Sequence, residues 1–145
     1  MTTLPEPARA LLESGALGHV ITINRDGTPQ VSVVWVGLDG DDVLFGATAD
    51  KQKIKNLRRD PRVVVSFEAA EPNAIGLREY LVIHGRATVE DHGYPELIER
   101  LREVYTKGDP RYPRTDLRRP DAPPACVARI RVERVSGYGP WNPRQ

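Results

Sequence analysis

Between Lys51 and Arg62 stand six basic residues (Lys51, Lys53, Lys55, Arg58, Arg59 and Arg62) and a single acid, Asp60, in a chain whose net charge is only +1. The stretch begins Thr48-Ala49-Asp50 and reaches Pro61, between the apolar runs 43–47 and 63–67. Asp50 can cap a helix here, with Thr48 as a second candidate. Pro61 ends it, because the residue before a proline is pushed out of the α region. At about 100° per residue, Ile54 and Leu57 share one face and Lys51, Lys55 and Arg59 form a stripe on the other. Lys53 flanks the apolar face, with Asn56 near it. The start of such a helix has free N–H groups and a partial positive charge, so the chemistry on offer is anion binding. Thr48, Lys51, Gln52 and Lys53 would form a phosphate cradle. The alternative is a surface helix with a solvated basic face, and the segment alone leaves both open.

Other chemistries find no support in the spacing. His19, His84 and His92 are far apart and none has a metal-ligand partner at helical or loop spacing, so no metal is expected. His84 reads as a satisfied, half-buried imidazole. There is no Gly-x-Ser-x-Gly elbow, P-loop or Gly-x-Gly-x-x-Gly turn. The single cysteine, Cys126, reads as core filler and can form no internal disulfide, which fits a reducing, cytoplasmic setting. The near-neutral charge argues against a nucleic-acid partner. No apolar run approaches membrane-spanning length and the N-terminus does not read as a signal peptide, so no membrane partner is expected.

The chain of 145 residues is expected to form one domain, 1–145. Helices are expected over 4–14 and 95–106. Strands are expected over 18–24, 29–36, 43–47, 63–68, 79–90 and 125–135. Asp26-Gly27 is a hairpin signal, 38–42 a turn, 69–78 irregular, and 107–124 a proline-rich connection without periodicity. In the second strand Val31, Val33 and Trp35 alternate against Gln30, Ser32, Val34 and Val36. Gly46-Ala47 leaves room for something to approach the backbone, and Gly85 marks a bulge or close approach. About six strands joined by hairpin-type turns point to a mainly β, α+β fold: an antiparallel sheet curled into a small barrel, with helices covering its gaps. A barrel, an anion-binding helix start and the two tryptophans, Trp35 and Trp141, would suit a phosphate-bearing planar cofactor.

The run Asp26-Gly27-Thr28-Pro29-Gln30-Val31-Ser32-Val33-Val34-Trp35, then 48–53, then Lys55-Asn56-Leu57-Arg58-Arg59-Asp60-Pro61-Arg62-Val63, resembles the split β-barrel flavin and deazaflavin oxidoreductases. These are similar in fold to pyridoxamine 5′-phosphate oxidase. Gly85-Arg86-Ala87 and Gly139-Pro140-Trp141 also resemble the branch that uses coenzyme F420. The resemblance implies a homodimer with two sites at the interface, the cofactor ring along the second and third strands, and its phosphate on the segment Thr48 to Lys53 with Asn56 nearby. Ser32 and the backbone of Val33, Val34 and Trp35 would hold the ring's polar edge, beside Ala47. Trp35 is alternatively plain core, and Trp141 either covers a partner's site or packs the C-terminus. The implied activity is F420-dependent hydride transfer to an unsaturated or quinone-like small molecule, with no catalytic proton donor assigned. The alternatives are an FMN-dependent oxidase or reductase on the same fold, and a non-enzymatic binder of a planar phosphorylated ligand or of heme. The longer substrate-binding elements of a true pyridoxamine phosphate oxidase are absent, so vitamin B6 oxidation is not expected.

Overall fold

The structure, a computed structural model, describes residues 2–112 and 121–142. Three helices, α1 (Glu6–Leu12), α2 (Gln52–Arg59) and α3 (Tyr94–Thr106), accompany seven strands. These are β1 (Gly18–Ile23), β2 (Pro29–Val34), β3 (Gly37–Asp39), β4 (Asp42–Thr48), β5 (Arg62–Pro72), β6 (Arg78–Glu90) and β7 (Ala125–Tyr138). All pairings are antiparallel, in the order β2-β1-β5-β6-β7-β4-β3. The two edge strands, β2 and β3, are consecutive in the chain and joined by Trp35 and Val36 alone. The sheet must therefore curl until its edges meet at that corner without pairing, which makes an α+β split barrel.

Alternation fills the interior. Val20, Phe45, Val65, Phe67, Leu81, Ile83 and Ile130 are all fully buried. Helix α2 closes one end of the barrel, packing on β1, β2 and β6. Its Ile54 and Leu57 are buried as their shared face requires, each contributing roughly 1.5–3 kcal/mol. Helix α3 lies outside, where Leu97 and Leu101 cover Leu44 and Val127.

Several expected boundaries move. Residues 37–39 form a short edge strand where a turn was expected, paired as Gly37↔Leu44 and Asp39↔Asp42. Half of 69–78 is strand, because β5 and β6 continue as a long hairpin whose tip is 73–77. Asn73 shapes that tip, its Oδ1 accepting the N–H of Ile75 and of Leu77. Strand β7 runs to Tyr138, past the expected end at Val135. Part of the proline-rich stretch 107–124 lies outside the described residues. Gly85 does mark a bulge: the β6–β7 register shifts at His84/Gly85. A Cβ on Gly85 would lie 2.3 Å from the Arg131 carbonyl oxygen, so only glycine fits. The room at Gly46 is taken by the Tyr94 ring, which a Cβ there would meet at 2.8 Å.

Candidate functional site

Helix α2 starts one residue later than an Asp50 cap would set it. The N-cap is Lys51, extended at φ −70° and ψ 140°, and no side chain caps the helix. Asp50 instead accepts a 2.6 Å hydrogen bond from the Thr48 hydroxyl. That bond, first among its causes, holds the Asp50 carboxyl below its usual range. The carbonyl of Lys51 accepts the N–H groups of Ile54 and Lys55. The N–H groups of Gln52 and Lys53 have no acceptor among the described residues. At the other end Asp60 is extended before Pro61, as expected.

Lys53 is half-buried and has no carboxylate partner among the described residues. Burial, and then the charge of Lys51, push its pKa below the ordinary 10.5. The sign follows from linkage. The unfolded chain binds this proton more tightly than the fold does, so the ligand-free protein gains stability as pH rises through the folded pKa toward 10.5. Lys53→Met, which keeps an apolar stem, is expected to raise the melting temperature at neutral pH and abolish that alkaline gain, as thermal melts across pH would show. Half-exposure screens the charge, so the gain stays below about 1 kcal/mol. Lys51 and Lys55 are exposed, as the helical phase requires.

Asn56 is fully buried and its bonding capacity is full. Its Nδ2 donates to Thr22 Oγ1 at 3.0 Å and to Asn24 Oδ1 at 2.9 Å. Its Oδ1 accepts from Gln52 Nε2 at 2.8 Å and from Arg59 Nη1 at 3.3 Å. Arg59 also donates to the Ile23 carbonyl. Asn56 thus ties α2 to β1 and to the β1–β2 turn, and holds the helix start in place. Sequence reasoning missed its partners Thr22 and Asn24. The signal was Thr22, whose alternation with Val20 puts a polar side chain inside, where it needs a partner.

The other expected residues divide. Ser32 faces inward with Gln30 and Val34, and its hydroxyl is buried with no hydrogen-bond partner among the described residues. Val33 faces outward, 54% exposed. β2 is an edge strand, so part of the backbone of Val33 and Val34 lacks a neighbouring strand. Trp35 lies beyond the end of β2 and stacks on Tyr105, with centroids 5.3 Å apart at 10°. The Tyr105 hydroxyl accepts the Val36 N–H at 2.9 Å and donates to the Ala16 carbonyl at 2.7 Å. Trp35 thus has a stacking partner in its own chain. Trp141 is buried in its own chain and donates its indole N–H to the Tyr80 carbonyl at 3.0 Å. The Ala47 side chain is in the core.

No obvious acid or base joins this group. His84 spends both nitrogens, on the Ser136 hydroxyl at 2.8 Å and on Arg134 at 3.2 Å. Burial and then Arg134 lower its pKa. Cys126 is buried beneath Arg58, whose guanidinium lies 3.5 Å from the sulfur and 3.0 Å from Asp91. Among the described residues no His, Cys, Asp and Glu cluster could hold a metal, and no helix is long and apolar enough to cross a membrane. The arrangement can hold an anion at the start of α2 and a polar ligand edge along β2. An ammonium and a buried hydroxyl, both without partners among the described residues, fit a phosphorylated cofactor.

Comparison with known proteins points the same way. The profile of the family described as pyridoxamine 5′-phosphate oxidase matches residues 4–139. A solved structure titled F420 reductase superposes with a TM-score of 0.71 at 26% identity, covering 92% of this chain and 98% of that one. A conserved hypothetical protein from Mycobacterium tuberculosis gives a TM-score of 0.71 at 22% identity, covering 95% and 88%. General Stress Protein 26 from Bacillus anthracis gives 0.62 at 17% identity, covering 89% and 88%. A search of curated protein sequences finds no match.

Proposed function

Because the chain belongs to the pyridoxamine 5′-phosphate oxidase family, we propose that it binds a phosphorylated flavin-type cofactor, coenzyme F420 in the first place, and serves as an oxidoreductase acting on an unsaturated or quinone-like small molecule. The observation that carries this is Lys53: a half-buried ammonium with no carboxylate partner among the described residues, beside the open N–H groups of an uncapped helix. The similarity to an F420 reductase supports deazaflavin over FMN.

The cofactor supplies hydride-transfer chemistry when bound. Lys53 and the N–H groups of Gln52 and Lys53 hold its phosphate. Ser32, the backbone of Val33 and Val34 and the backbone of Ala47 set the ring against the edge of the barrel. With the ring fixed, catalysis is orientation. No side chain is assigned to proton transfer. Titration of purified protein with F420 and with FMN, followed by absorbance, tests the reading. Saturable binding of F420 by a colourless preparation supports it. A preparation that retains bound FMN moves the assignment to the flavin, and binding of neither cofactor removes it.

A second copy completes the proposal. Val31 and Val33 are 57% and 54% exposed on the outer face of β2. The register carries that face across Ile21, Val64 and His84, and across His19, Ser66 and Val82. Two exposed valines on a mixed sheet face suit a two-fold partner. Val31→Glu with Val33→Glu is expected to convert a dimer to a monomer at micromolar concentration in light scattering. A wild-type monomer there would refute the dimer.

A further inference from the structure

We infer that His84 makes the pairing of two copies pH-dependent: its neutral imidazole holds Arg134 within the outer sheet face, and a proton on it releases Arg134 and separates the copies. The inference rests on the two-fold reading above and adds its regulation.

Hydrogen-bond polarity carries it. A guanidinium only donates. Arg134 Nη2 lies 3.2 Å from His84 Nδ1, so that nitrogen must accept and carries no proton. The ring's one proton is then on Nε2, which donates to the Ser136 hydroxyl at 2.8 Å. Only the neutral imidazole can make both bonds. A proton added at Nδ1 turns the acceptor into a donor and sets a second positive charge against the guanidinium.

Placement decides what that does. The register runs Val31, Ile21, Val64 and His84 into one row across β2, β1, β5 and β6, and Arg134 on β7 ends it. His84 is half-buried in the same face as the exposed Val31 and Val33. A second copy seated on this face takes the imidazole further from water, which disfavours its charged form.

The charges around His84 offer little relief. On β7 its neighbours are Arg134 and Ser136, and Glu133 stands unpaired in the bulge. On its own strand Arg86 is the next outward residue. On β5 Val64 lies opposite, Arg62 is held by Asp60 at 2.7 Å, and Glu68 is two outward positions past Val64. On β1 Ile21 and His19 face the same way, and His19 Nδ1 lies 3.4 Å from the Ser66 carbonyl. Burial and then Arg134 already hold the His84 pKa below the ordinary 6.5 in one chain. Pairing lowers it again, so a free chain binds the proton more tightly than a paired one. The pairing is therefore strongest above the free chain's pKa and weakens as pH falls through it.

The test is sedimentation of a dilution series at about pH 7.5 and about pH 5.5. The wild-type dissociation constant is expected to rise roughly 10-fold or more at the lower pH, because two copies take up as many as two protons on separating. His84→Gln can accept from Arg134 and donate to Ser136 without titrating, and is expected to change less than about threefold between the two conditions. His19→Gln is expected to keep the wild-type dependence. Thermal melts at both pH values check the fold. A wild-type dimer indifferent to pH, an equal dependence in His84→Gln, or its loss in His19→Gln would overturn the inference and leave the dimer standing. A wild-type monomer in both conditions would remove the dimer and the inference together.

Discussion

Asn56→Ala is expected to lower the melting temperature by roughly 10 °C, on the scale of about 3–5 °C per kcal/mol for a domain of this size. The side chain is fully buried and makes four hydrogen bonds. Truncation removes them together and leaves Thr22, itself fully buried, without its donor. Each buried polar group so orphaned costs about 1–3 kcal/mol. Water can reach Asn24, Gln52 and Arg59, which bounds the loss, so about 2–4 kcal/mol is expected. Asn56→Asp is the informative control. It keeps the acceptor for Gln52 and Arg59 and loses the donors to Thr22 and Asn24, so it should fall between alanine and wild type. Denaturant melts of the three proteins give the ranking. A shift under about 2 °C for alanine would show that the helix is held by Ile54 and Leu57 alone.

How far this could be read from the sequence depends on where each residue's partners lie. The α2 phase needed only local spacing: it placed Ile54 and Leu57 inside, Lys51 and Lys55 outside and Lys53 at the margin, and the structure agrees. Gly85 was legible because a glycine inside a strand implies backbone proximity. The Asn56 network was not, since Thr22 and Asn24 lie 34 and 32 residues away. Trp35 misled for a related reason. Alternation extended β2 through it, but Tyr105, 69 residues on, takes the Val36 N–H and turns the chain toward α3. The tip at 73–77 was hidden because strand continuation past Glu68 depends on pairing with β6. The strand pattern already pointed to a curled antiparallel sheet, and the family resemblance specified it as the split barrel.

Lys53→Ala is expected to weaken cofactor binding by 10- to 100-fold, whereas Lys55→Ala leaves it nearly unchanged. The two residues are the same type, two positions apart on one helix, so any general loss of positive charge is equal. They differ in placement. Lys53 is half-buried with its pKa lowered first by that burial, and Lys55 is exposed on the far stripe. A desolvated ammonium without a partner is held at a cost in the ligand-free protein, and an incoming phosphate relieves it. Charge-assisted hydrogen bonds of this kind contribute roughly 1.5–3 kcal/mol, which sets the expected factor. The Lys55 ammonium is separated from the site by water and screened by salt, so its loss should cost less than about 1 kcal/mol. The Lys53 substitution should also leave the ligand-free protein as stable as before, or slightly more so, which separates a binding defect from a folding defect. Titrations with F420 and with FMN at two salt concentrations, beside thermal melts, measure all of this. Equal losses at both lysines, vanishing together at high salt, would reduce the site to diffuse attraction. Unchanged affinity in Lys53→Ala for both cofactors would remove the phosphate from the start of α2.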